Sequence, residues 1–293
     1  MTPMNGEEAM PDINALIKYI NERRDRENGG VGFTFVRDLP PNLQDTFFAL
    51  SCLKMLNAES PDDSIIRFIS GYDRFSFYGA YFAMKCLKLA DVRVCFEEGL
   101  LKWSYKGDTQ ERPCSIPSTP LISYFNYEVY GEYGSSIFSS PLYAAFKRIE
   151  LGAAEINQGA INSVMTLLSK GSYPDLMVIY AALEIQLGIK SRGIIVDLSP
   201  QVVKRLRLFL RLCTTRKGYV ASPTAAALSL ESTYAGHKVA QHLGLPDPLG
   251  VQPFVDSLQN ENGGFRRTEF GGISTLESCY MATSITVDND SRG

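Results

Sequence analysis

Residues 259–282 read QNENGGFRRTEFGGISTLESCYMA, and fainter versions of this stretch recur upstream at intervals of roughly 35 to 55 residues. Each unit combines an apolar-periodic helix, a Gly-rich turn with an aromatic residue, and a second helix. The second helix opens on an acidic or small polar residue ahead of a Tyr/Phe-Ala step. Near the start the pattern is GGVGF (Gly29 to Phe33) followed by LQDTFFAL (Leu43 to Leu50), and towards the end KGYVASPTAAALSLESTYAG (Lys217 to Gly236). Aligning the second helices gives six candidates, anchored at Phe48, Phe82, Tyr143, Tyr180, Tyr234 and Tyr280. A helical hairpin cannot bury its apolar face alone. Neighbours must stack, and a curved stack without polar capping repeats closes on itself.

The expected fold class is therefore all-α: a ring of about six helical hairpins forming one domain over residues 1–293. Outer helices should have one solvated side. QVVKRLRLFLRLC fits, with Val203, Leu206, Leu210 and Cys213 on one face and Lys204, Arg207 and Arg211 on the other. LSLESTYAG and DLMVIYAALEI carry few charges and should be inner helices. One segment breaks the rhythm, from about Ser104 to Ser140, with Pro113, Pro117 and Pro120 and the tyrosines Tyr105, Tyr124, Tyr127, Tyr130 and Tyr133. It reads as an aromatic, Pro-rich insertion, either a lid over a binding site or a cover for apolar surface.

Composition is that of a soluble globular chain, with 45% hydrophobic and 21% charged residues and a net charge of -3. That balance disfavours a general nucleic-acid or anionic-membrane role. No apolar run approaches a membrane span, and the opening MTPMNGEEAMPD lacks the basic and apolar regions of a signal peptide, so a cytoplasmic location is expected. Cys52, Cys86, Cys95, Cys114, Cys213 and Cys279 have no close metal-type spacing and read as reduced thiols, several of them buried.

QNENGGF has a mechanical reading. Gln259 can bond free backbone groups at a helix end, Gly263 and Gly264 permit a sharp turn, and Phe265 packs back into the hairpin. Ser274 and Glu277 have capping-box spacing, an arrangement repeated by Asn42 and Asp45.

On these residues the chain resembles the prenyltransferase and squalene cyclase repeat superfamily, whose members form an α/α toroid around a central cavity. QNENGGF is similar to the Q-x-x-x-G-x-W signature of the cyclases, with Phe265 for Trp. GGF followed by LESCY is closer still to the β subunits of protein prenyltransferases. The resemblance implies an isoprenoid or other lipid ligand lined by aromatic residues, here Phe82, Tyr180, Tyr234 and Tyr280. It also implies a diphosphate site, for which Arg266 and Arg267 after the GGF turn are the candidates. Eukaryotic prenyltransferases need an α subunit, so a protein partner is a further implication.

The family's catalytic motifs are incomplete here. The cyclase acid D-x-D-D does not occur. In the transferases a D-x-C pair and a His hold zinc, but Glu231 and Thr233 stand at the D-x-C positions and Glu277 at the His position. Shifting by one repeat gives Glu277 and Cys279 with no His to follow, since His237 and His242 both lie upstream. Neither register supplies three ligands, and no cofactor is expected. The sequence thus points to a toroid that binds a lipid without turnover. Its alternatives are an active transferase or cyclase with Glu231 and Glu277 as its acids, and a protein-interaction toroid.

Overall fold

The fold was described from a computed structural model, which defines residues 11–24, 32–34, 39–59, 63–97, 99–115, 158–169, 171, 173–191 and 193–290. Helices dominate. They are α1 (Ile13–Asn21), α2 (Leu43–Met55), α3 (Asp63–Ser70), α4 (Phe77–Leu89), α5 (Gln158–Ser169), α6 (Leu176–Lys190), α7 (Pro200–Cys213), α8 (Leu230–His242), α9 (Val251–Ser257) and α10 (Leu276–Asp290). Seven begin on a side chain that accepts a first-turn backbone N–H: Asp12, Asn42, Ser76, Asp175, Ser199, Ser229 and Thr275. Such caps contribute about 1 kcal/mol each.

The even-numbered helices pack side by side in the order α4, α2, α10, α8, α6. They are buried around most of their circumference, as α6 shows: Leu176, Val178, Ile179, Tyr180, Ala181, Ala182, Leu183, Ile185, Gln186 and Ile189 are all buried. Four of the odd-numbered helices pack on them, α3 on α4, α5 on α6, α7 on α8 and α9 on α10. On α7 the buried face is Val202, Leu206, Phe209, Leu210 and Cys213. The last hairpin therefore meets the first, α10 lying against both α8 and α2.

That junction is where the motif at 259–265 sits. The Gln259 carboxamide accepts the Asp12 N–H at 2.8 Å and donates to the Asp12 and Gly263 carbonyls at 3.0 Å, tying the last turn to the start of α1. Gly263 has φ +85°, and a Cβ there would meet the Ala15 carbonyl oxygen at 2.2 Å. Only glycine fits both demands. Tyr19 completes the junction by donating its hydroxyl to the Ser274 carbonyl at 2.8 Å.

The all-α expectation needs correction around α4, which a four-stranded sheet flanks with one strand before it and three after it. It comprises β1 (Phe75–Ser76), β2 (Arg93–Glu97), β3 (Leu100–Tyr105) and β4 (Asp108–Ser115) in the order β1-β4-β3-β2, with β1 parallel to β4 and the other pairs antiparallel. The cause is local. Leu101 and Trp103 alternate onto a buried face, and Lys106-Gly107, at φ +50° and +90°, forms the two-residue turn that matches strand twist. Arg112 pins β4 to the end of α3 by donating to the Tyr72 and Ser70 carbonyls. The beginning of the expected 104–140 insertion is thus a hairpin. Its remainder, with Tyr124, Tyr127, Tyr130 and Tyr133, and the helix expected at Tyr143, lie outside the described residues. Among the described residues no helix is long and apolar enough to cross a membrane.

Candidate functional site: an aromatic cavity among the inner helices

All five inner helices contribute to one cavity of about 310 Å³. Its wall is Phe47 of α2, Tyr81, Phe82 and Lys85 of α4, Tyr180, Glu184 and Leu187 of α6, Tyr234, Lys238, Gln241 and His242 of α8, and Tyr280 of α10. The i, i+4, i+7, i+8 spacing of the α8 set is one helix face, which is why a single helix supplies four of these side chains.

Aromatic contacts run through the wall in the same order as the helices. Tyr81 meets Phe82 at 5.2 Å between ring centroids, Phe82 meets Phe47 and Phe48 at 5.8 and 5.9 Å, and these meet Tyr280 at 5.7 and 5.3 Å. Tyr280 then meets Tyr234 at 6.2 Å, and Tyr234 meets Tyr180 at 5.7 Å. Tilted and edge-on pairs of this kind add about 0.5–1.5 kcal/mol each beyond burial. Burial pushes the Tyr280 phenol up to about 12 and Tyr234 well above its ordinary range, so both are neutral.

The charged groups of this wall are Lys85, Glu184 and Lys238, from α4, α6 and α8. Lys85 Nζ lies 5.5 Å from the Tyr81 ring centre and Lys238 Nζ 5.5 Å from that of Tyr234, each a cation over an aromatic face. Burial pushes the His242 imidazole below its ordinary value, favouring its neutral form.

Of the residues singled out from sequence, the structure brings Phe82, Tyr180, Tyr234 and Tyr280 together in the cavity wall. Glu231, Glu277, Arg266 and Arg267 are not in that wall. Glu231 and Glu277 occupy the second position of α8 and α10, and Glu231 is about 15 Å up its helix from Gln241. Glu231 is buried and forms an ion pair with the half-exposed Arg267. Arg266 spends its guanidinium on the Thr268 and Ser257 carbonyls and the Asn260 side chain.

The expected capping box at Ser274 and Glu277 shifts by one residue. Thr275 accepts the Ser278 N–H at 3.0 Å, and the two hydroxyls bond each other at 2.9 Å. Ser274 instead bonds Asn260 and Asn262. The same arrangement caps α8, through Ser229 and Ser232. At Asn42 half of the expected box forms: its side chain accepts the Asp45 N–H at 2.8 Å, but Asp45 accepts the Asn42 side-chain amide at 2.7 Å, the Asn42 N–H going to the Phe33 carbonyl. Cys279 is fully buried, its sulfur accepts the Phe265 N–H at 3.5 Å, and burial pushes its thiol up to about 12, which suits packing and not thiolate chemistry. Among the described residues no group of three or more His, Cys, Asp and Glu side chains is placed to hold a metal ion.

One cluster escaped the sequence reading. His237, with no exposed surface, lies between Asp247 Oδ2 at 2.6 Å from Nδ1 and Asp288 Oδ2 at 3.1 Å from Nε2. Tyr219 donates its hydroxyl to the other Asp247 oxygen at 2.9 Å, and Lys238 donates to Asp288 at 2.7 Å. Burial opposes charge on His237, but the two carboxylates outweigh it and raise its pKa. For Asp288 burial likewise opposes charge, and the bonds from His237 and Lys238 outweigh it and hold the carboxyl well below the usual range. The partners stand 10 and 51 residues from His237, so no local motif announces them. Compared with known proteins, the chain matches no family model, no curated protein and no solved structure.

Proposed function

We propose that the chain is an α/α toroid of the prenyltransferase and squalene cyclase repeat type, and that it holds an isoprenoid or another lipid in its central cavity without turning it over. The observation that carries this reading is the cavity wall, in which an unbroken series of aromatic contacts from Tyr81 to Tyr180 is contributed by five inner helices in order. A wall of rings offers an apolar tail contact area at low cost in side-chain entropy, and a few polar groups then fix orientation. Lys85 gives that wall a cation for an anionic head group, while Lys238 is paired with Asp288 and Glu184 stands in the same wall. Support for a ring comes from the packing of α10 on α2, which joins the two ends of the chain, and from the shared cavity, which draws in α4 and α6 from the two ends of the helix row. Catalysis is left out because the sequence carries neither a D-x-D-D acid nor a full zinc ligand set.

Incubating the protein with radiolabelled geranylgeranyl diphosphate, and scoring retention and turnover separately, tests both halves. Retention of unchanged ligand is expected, weakened about tenfold by Lys85→Ala if one charge-assisted contact is lost. Product formation would convert the reading to an active transferase or cyclase. Failure to retain the ligand would favour a protein-interaction role.

A further inference from the structure

A second concavity lies on the outside of the molecule, between α7 and the loop 244–250. At about 600 Å³ it is larger than the aromatic cavity, and it is lined by Lys204, Arg207, Leu208, Arg211, Leu245 and Pro248 among others. Its floor is Tyr219 and Asp247, whose carboxylate is engaged by the Tyr219 hydroxyl and by His237. The floor charge is therefore answered from within, while the rim charge is not. Among the described residues Lys204 and Arg211 have no ion-pair or hydrogen-bond partner, and α7 carries four basic residues and no acidic one. Large apolar side chains accompany them: Leu208 and Leu212 are 58% exposed and Leu249 is 99% exposed.

From this combination we infer that the groove docks an amphipathic helical segment of a protein partner, one that carries Asp or Glu beside a row of Leu, Ile or Met. The dimensions agree. Lys204 and Arg211 are seven residues apart on α7, about 10 Å, which matches two turns of a partner helix with acids at i and i+7. Leu208 lies between the two cations and would meet the partner's apolar row. Cations spaced along an apolar wall reward alternation of acid and hydrophobe, whereas a polyanion such as RNA would leave that wall covered by charge.

The test is a selection of helical 16-residue peptides from a random display library against the intact protein. Enriched peptides should interleave acidic and aliphatic residues. Their affinity should fall about tenfold or more for the double variant Lys204→Glu/Arg211→Glu, and should fall with added salt. Both positions are exposed, so an unchanged melting curve certifies the variant's fold. A second variant, Leu208→Asp, should weaken the same peptides. Enriched peptides that lack acidic residues, equal binding to the charge-reversed variant, or no enrichment over background would overturn the inference. So would binding of single-stranded RNA or anionic vesicles that the double variant abolishes while peptides fail to bind.

Discussion

At the N-terminal ends of α8 and α10, Glu231 meets Arg267, Arg266 is spent on the Asn260 turn, and Thr275 with Ser278 closes the last helix. Towards the opposite end of α8, Lys238, Gln241 and His242 face an open cavity. Both ends are rich in polar side chains, and residue type does not distinguish them. What does is whether the side chains also border open space: at the second end they do, although Lys238 pairs across to Asp288 of α10, whereas Glu231, Arg266 and Arg267 are not in the cavity wall. Ion pairs join neighbouring repeats at both levels, and of these two polar sets the lower one borders the cavity.

The comparison breaks most visibly if the last hairpin is removed. Deleting residues 251–293 strips α9 and α10, uncovering the apolar faces of α2 and α8, and the product should be molten or aggregated by near-ultraviolet circular dichroism and light scattering. A soluble, cooperatively melting truncation would show that the last hairpin is dispensable. Next in size, Gly263→Val should cost about 3 kcal/mol or more in urea unfolding, since a side chain there collides with the Ala15 backbone in a conformation disfavoured for non-glycine residues.

His237→Ala should cost about 3 kcal/mol by leaving two carboxylates facing each other in a largely buried site. The pH dependence has a definite sign. The raised pKa of His237 means that its contribution is fully present below its ordinary value of 6.5 and is lost as pH rises through the folded value. Asp288 behaves oppositely, its contribution being present above its ordinary value of 3.8 and lost as pH falls through the folded value. Wild type should therefore exceed His237→Gln by more at about pH 5.5 than at about pH 9, as read from unfolding curves at the two pH values. An equal gap would mean that His237 stays neutral.

The smallest effects separate the two glutamates. Glu231→Gln should cost about 1 kcal/mol, because its partner Arg267 is half exposed and can be resolvated. Glu277→Gln should cost less, since Thr275 and Ser278 already serve as the cap. Both variants should match wild type in the retention of labelled geranylgeranyl diphosphate. Loss of retention in either would move the functional layer to the N-terminal ends of the helices.

Much of the inner layer was legible because five of the aromatic anchors, Phe48, Phe82, Tyr180, Tyr234 and Tyr280, fall inside helices that run side by side. At four of them the next residue is a buried alanine, Ala49, Ala83, Ala181 or Ala235. The cap of α10 was displaced by one residue because STLES contains overlapping boxes, and only the backbone chooses between Ser274 and Thr275. The sheet was missed because its alternation is short and its turn, Lys106-Gly107, lacks the Asn-Gly signature. His237 was read only as an orphan zinc ligand. Its meaning rests on carboxylates brought in by the fold.

The Gln259 carboxamide that clasps Asp12 spans 247 residues of sequence. At translation speeds of about 5–20 residues per second, the start of α1 leaves the ribosome some 12–50 s before its clasp is made. During that interval the first hairpin has neither its cap partner nor the α10 surface that covers α2. A nascent chain of this protein is therefore exposed to chaperones and proteases longest at its own beginning, and arrest-release or limited-proteolysis experiments on stalled chains should find α1 and α2 accessible until the last hairpin has emerged.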